Sequence, residues 1–109
     1  MEPINRYLDA AILKPELTRD EVTAAIRESI RWKTKTVCVR PFDIALAKDL
    51  CRGTETGVSC VLSFPHGVAP TAVKAFEAKT YIEMGTDEID MVANYGMIRS
   101  GEWEYVERD

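Results

Sequence analysis

An α/β fold with a parallel sheet is what this sequence predicts, on three observations. Short β-branched or apolar runs alternate with longer helical patterns four times along 109 residues. Proline and glycine stand at the joints, and no linker, low-complexity tract or composition shift divides the chain. Repetition of this kind builds parallel strands joined by right-handed crossovers, with helices covering the sheet.

Each element follows from its residues. Tyr7-Leu-Asp-Ala-Ala-Ile-Leu13 is a short apolar run ending at Lys14-Pro15. Pro15 disfavours helical geometry at the residue before it, which supports a first strand, although the two alanines suit a helix equally. Thr18-Arg-Asp-Glu21 reads as a capping box, and Val22, Ala25, Ile26, Ser29 and Ile30 mark one face of the helix it opens. Lys33-Thr34-Lys35 ends that helix and leads into Thr36-Val-Cys-Val-Arg40, a second strand closed by Pro41.

Ile44, Leu46-Ala47 and Leu50-Cys51 support a second helix stopped near Gly53. Gly57 opens a third strand, Val58 to Phe64, before Pro65-His66-Gly67. A third helix is expected from about Thr71 to Gly85, a residue suited to the left-handed C-terminal position, and Glu88 to Ala93 follows as the fourth strand. Asn94-Tyr95-Gly96 and Ser100-Gly101 read as turns. The stretch Glu102 to Asp109 looks like a helix barely begun, and its charged, uncapped finish reads like a cut.

Composition narrows the function classes. The chain is 46% hydrophobic, 8% aromatic and 29% charged, as in ordinary globular domains. Its 14 Lys+Arg against 18 Asp+Glu give a net charge of -4 with no basic run, which argues against a nucleic-acid partner but leaves room for a small anionic ligand. Cys38, Cys51 and Cys60 form no CxxC pair and His66 is the lone histidine, so no metal site is expected and the thiols are read as reduced. No apolar stretch approaches the roughly 18 residues of a membrane span, and the amino terminus has no apolar signal region, so no membrane partner is expected and a cytoplasmic location is the default.

In parallel α/β folds chemistry gathers at the carboxyl ends of strands. Those regions hold Lys14, Arg40, Ser63 to Gly67, and Asp90 to Asn94. Asp90 is the strongest signal. Alternation places it with Val92 and Asn94 on the face opposite Ile89, Met91 and Ala93, and an ionised carboxylate within a sheet layer is costly without a partner. Proton transfer is one reason to keep it; ending the strand by accepting from nearby amides is the other. Asp9 poses the same question, with solvation at a strand start as its plain reading. Cys38 could face an interior as a reactive thiol or as a packing residue, and His66 as a general acid or a loop hydrogen-bonder. Lys74, four residues before Ala78 on the third helix, reads as a solvated face; Asp87 and Glu88 read as wet loop, and Trp103 and Tyr105 as packing groups. No GxGxxG, GxxxxGK[ST] or GxSxG motif occurs.

Several segments together resemble the deoxyribose-phosphate aldolases: Leu8-Asp-Ala-Ala-Ile-Leu-Lys-Pro15, Thr36-Val-Cys-Val-Arg-Pro41, Ser63-Phe-Pro-His-Gly67, Val73-Lys-Ala-Phe-Glu-Ala-Lys79 and Gly85-Thr-Asp-Glu-Ile-Asp-Met-Val-Ala-Asn94. The resemblance runs through nearly the whole chain in the family's order. It implies a class I aldolase of TIM (β/α)8-barrel fold, cleaving 2-deoxyribose 5-phosphate to glyceraldehyde 3-phosphate and acetaldehyde through a lysine Schiff base, with no cofactor. It further implies Asp90 as acidic member of a proton relay, Asp9 as a supporting acid, and Cys38, Ser63 and Asn94 as pocket-lining residues. Two family positions in the first strand, usually polar, are Ala10 and Ala11 here.

A barrel of this kind needs roughly 200 residues or more. Residues 1–109 are therefore expected to be the first four βα units, an N-terminal half-barrel with a parallel sheet, cut in or before the helix after the fourth strand. None of Lys14, Lys33, Lys35, Lys48, Lys74 or Lys79 matches the family's Schiff-base motif, so the chain alone is expected to be inactive. A homo-oligomer or a complementary C-terminal half-barrel is the expected partner. The alternatives are a non-catalytic half-barrel that pairs with itself or with a complementary half, and a small complete α/β binding module.

Overall fold

The computed structural model describes residues 1–109. Its strands β1 (Asp9–Ile12), β2 (Thr36–Val39), β3 (Gly57–Leu62) and β4 (Glu88–Met91) form one sheet in the order β1-β2-β3-β4. All three pairings are parallel, with Ala11 opposite Cys38, Cys38 opposite Ser59, and Val61 opposite Asp90. Between them run α1 (Arg19–Arg31), α2 (Ile44–Cys51) and α3 (Thr71–Glu83); two short helices, α4 (Tyr95–Arg99) and α5 (Trp103–Arg108), follow β4. This is a half TIM barrel: four βα units curled with the helices outside.

Strand alternation decides which side holds the core. Ile12, Val37, Val39, Val58 and Cys60 point outward and meet Val22 and Ile26 of α1 and Ile44, Ala47 and Cys51 of α2 in one buried cluster. The inward set is mostly polar: Asp9, Thr36, Cys38, Ser59, Glu88 and Asp90, with Ala11 and Val61. With that side uncovered, the Cα radius of gyration is 15.1 Å, against about 13 Å for a compact domain of this length.

The helix starts behave as their residues dictate. Thr18 Oγ1 accepts from the Glu21 amide at 3.2 Å while the Glu21 carboxylate accepts from the Thr18 amide at 2.7 Å, completing the capping box. Asn94 and Tyr95, read as a turn, instead open a helix, because Asn94 Oδ1 accepts from the Met97 amide at 3.2 Å and caps α4. Arg40 fixes the loop between β1 and α1: its guanidinium donates to the carbonyls of Pro15 and Leu17 and to the Asp43 carboxylate at 2.6 Å.

Lys74 overturns its sequence reading. It is 2% exposed, on the α3 stripe shared with Glu77, Ala78 and Tyr81 that turns toward the sheet. Burial is tolerated because its Nζ donates to the Val92 carbonyl at 3.1 Å and pairs with the Asp109 carboxylate. Asp87 is likewise more than a wet loop, accepting from the Val58 amide at 2.9 Å and pairing with Lys48, while Glu88 already belongs to β4. No helix is long and apolar enough to cross a membrane.

Candidate functional site

Three of the five residues singled out in the sequence converge on the inner face. One carboxylate oxygen each of Asp9 and Asp90 and the Cys38 sulfur all lie within 4.8 Å of one another. β1, β2 and β4 supply one residue apiece. The carboxylate residues are exposed on the open face, whereas Cys38 is buried between them.

Hydroxyls from the neighbouring strands fix this group. Asp9 Oδ1 accepts from Thr36 Oγ1 at 2.5 Å and from Ser59 Oγ at 2.8 Å, and Cys38 Sγ donates to Asp90 Oδ2 at 3.6 Å. Sequence reasoning missed Thr36 and Ser59. Alternation alone puts Thr36 on the face of Cys38, but only the β2-β3 register brings Ser59 to the same place.

Electrostatics divides the roles. Burial pushes the Cys38 thiol up to about 12; the Ser59 hydrogen bond opposes this in part, and the charges of Asp9 and Asp90 add to it. Asp90 is raised above the ordinary carboxylate range, first by desolvation and then by the Asp9 charge, with the Cys38 hydrogen bond acting the other way. Asp90 therefore holds a proton more readily than an ordinary carboxyl. Asp9, Cys38 and Asp90 are also the residues of this face that could approach a metal ion together. The set therefore combines two carboxyls, a thiol and two hydroxyls in one hydrogen-bonded group.

Ser63 and Asn94 do not join the cluster. Ser63 takes φ 51° in the turn after β3, where its amide donates to Glu77 Oε2 at 2.7 Å and its Oγ accepts from the Ala69 amide at 3.3 Å. Asn94 spends its side chain on the α4 cap. Ser63 does border a cleft of about 380 Å³ at the carboxyl ends of the strands, beside Arg40, Phe64 and Tyr81. His66 stands outside it on the adjoining loop, its Nδ1 3.4 Å from the Tyr95 hydroxyl.

No family model matches the chain. Individual proteins do. Deoxyribose-phosphate aldolase of Streptococcus mutans is 42% identical over 106 residues, which is 97% of this chain and 48% of that enzyme. The solved aldolase QR15 superposes with a TM-score of 0.88 at 32% identity, covering 97% of this chain and 47% of its own. A tetrameric deoxyribose phosphate aldolase from Aeropyrum pernix superposes at 0.78 with 26% identity, over 86% and 40% of the two chains. By sequence and by fold the chain belongs to the deoxyribose-phosphate aldolase family, and it spans about half the length of the curated relatives it matches.

Proposed function

We propose that this chain is the acidic half of a class I deoxyribose-phosphate aldolase barrel. The observation that carries the reading is the meeting of Asp9, Cys38 and Asp90 on the inner face of a half-barrel related to enzymes of that name. Asp90 acts as the proton relay, Asp9 as the supporting acid and Cys38 as the thiol beside them, and Ser63 lines the approach from the cleft at the strand ends. Three free cysteines suit the reducing cytoplasm.

In the cleavage direction a neutral lysine amine attacks the aldehyde carbon of 2-deoxyribose 5-phosphate, and loss of water leaves an iminium. The proton then leaves the C3 hydroxyl, the C2–C3 bond breaks, and its electron pair passes into the iminium as glyceraldehyde 3-phosphate departs. The resulting enamine takes a proton at carbon, and water releases acetaldehyde. Asp90, with its raised affinity for a proton, suits the giving and taking in these steps, and Asp9 keeps that affinity high.

The amine comes from elsewhere in this reading. No residue of β1, β2, β3 or β4 is a lysine; Lys48 pairs with Asp87 and Lys74 is buried on the helix side. A complementary half-barrel supplies the nucleophile and the phosphate site. The chain alone, given substrate and borohydride, is expected to show neither turnover nor a trapped adduct. Co-expressed with the remaining half of the Streptococcus mutans enzyme it is expected to cleave substrate, and Asp90→Asn to cut that activity about 100-fold or more. Turnover by the chain alone, with acetaldehyde trapped on one of its own lysines, overturns the reading.

One observation favours a second reading, a non-catalytic half-barrel closed by a second copy: β1 and β4 each keep an unpaired edge. Light scattering separates the two. A stable monomer contradicts self-closure, and a dimer that takes up no complementary half contradicts the first reading.

A further inference from the structure

We infer that Lys74 is a positioning residue for Asp90, acting through the backbone that leaves β4. Lys74 is the largest fully buried side chain of the protein. The side chain of its ion-pair partner Asp109 is 3% exposed, and the second oxygen of that carboxylate accepts from Thr71 Oγ1 at 2.6 Å. A buried ion pair is weak as a source of stability, since a well-packed apolar pair of the same volume does as well. What an apolar side chain cannot do is hold a carbonyl oxygen, and Lys74 Nζ holds that of Val92 at 3.1 Å.

Val92 lies two residues beyond Asp90, where the ladder has ended. Its amide donates to the Leu62 carbonyl at 3.0 Å, so the peptide groups on either side of Val92 are tied, one to β3 and the other to α3. The next residue is held by packing: a Cβ on Gly67 would overlap the Ala93 carbonyl and lie 2.8 Å from the Val92 oxygen. β4 is only four residues long, so the clamp on its exit sets how far Asp90 leans toward the two groups facing it, Asp9 on β1 and Cys38 on β2. Lys74 never touches the site. Its importance for chemistry rests on the reading of Asp90 as the proton relay, but its effect on Asp90 does not.

The test is a pH titration of the Asp90 side-chain carboxyl by carbon NMR on the 109-residue chain, with amide hydrogen exchange alongside. The variants are the double substitution Lys74→Met with Asp109→Leu, which replaces the pair by apolar groups, and the single Lys74→Gln. In both, the Asp90 midpoint is expected to fall toward the ordinary carboxylate range as the residue swings away from Asp9. The Val92 amide is expected to exchange about tenfold faster while β1 and β2 amides stay unchanged. A folded variant with Asp90 and Val92 unmoved overturns the inference. Unfolding of both variants overturns it as well, because the pair is then a global structural element. Neither readout involves turnover, so failure of the aldolase reading registers separately.

Discussion

Replacing Asp90 by Asn is expected to stabilise the fold at neutral pH. Asp9 and Asp90 place carboxylate oxygens within 4.8 Å of each other. At that separation two charges repel by about 1 kcal/mol in a water-like dielectric, and the low-dielectric figure does not apply because the inner face is open. Asn keeps an acceptor for the Cys38 thiol and removes the charge. The pH dependence follows from the raised proton affinity of Asp90. Between the ordinary carboxylate range and its raised value, the folded state binds more protons than the unfolded chain, so this site's contribution to stability falls as pH rises through that window. Asn abolishes the fall. Urea unfolding is therefore expected to show a gain of about 1 kcal/mol at pH 7, worth about 4 °C in Tm, and almost none at pH 3. A loss of stability at pH 7, or an equal gain at both pH values, refutes the account. In the relay role proposed for Asp90, the same substitution is expected to cost activity in the complemented enzyme, a trade of activity for stability.

Two further outcomes follow from the geometry. With the Cys38 thiol pushed up to about 12 and buried, alkylation by iodoacetamide at pH 8 is expected to be roughly 100-fold slower or more than for a free cysteine; peptide mass spectrometry resolves Cys38 from the others, and a free-thiol rate contradicts the placement. Gly67→Ala adds a Cβ against the Ala93 carbonyl at φ 71°, for which a loss of about 2–4 kcal/mol is expected in urea unfolding, and a near-neutral effect contradicts the close approach of the two loops.

How much was legible in the sequence depended on distance along the chain. Local signals carried the elements: the Thr18 capping box, the Pro15 and Pro41 stops and the glycine after α3 mark boundaries the structure keeps within a few residues. β4 was read through Ala93 but its ladder ends at Met91, because pairing depends on how far β3 extends and not on local hydrophobicity. Alternation set Asp90 opposite Ile89 and Met91 and allowed Cys38 to face an interior. It could not say that Asp9, at the far side of the sheet, reaches both, since that depends on the stagger between strands. Lys74 was misread because a lysine on a helix looks solvated until its acid is located, and Asp109 lies on a different helix end. Asn94 was placed at a turn, and its capping role needed the Met97 amide to be in position.

The apolar cluster lies wholly on the convex side of the sheet, between strands and helices, and Asp9, Thr36, Cys38, Ser59 and Asp90 lie on the concave side. The apolar core and the polar inner surface therefore draw on different residues of the same strands, interleaved one by one. A change at an odd position of β1 or an even position of β2 rewrites the inner surface and leaves the hydrophobic layer untouched. Such a shell can change the groups it presents by point substitution without first losing its shape.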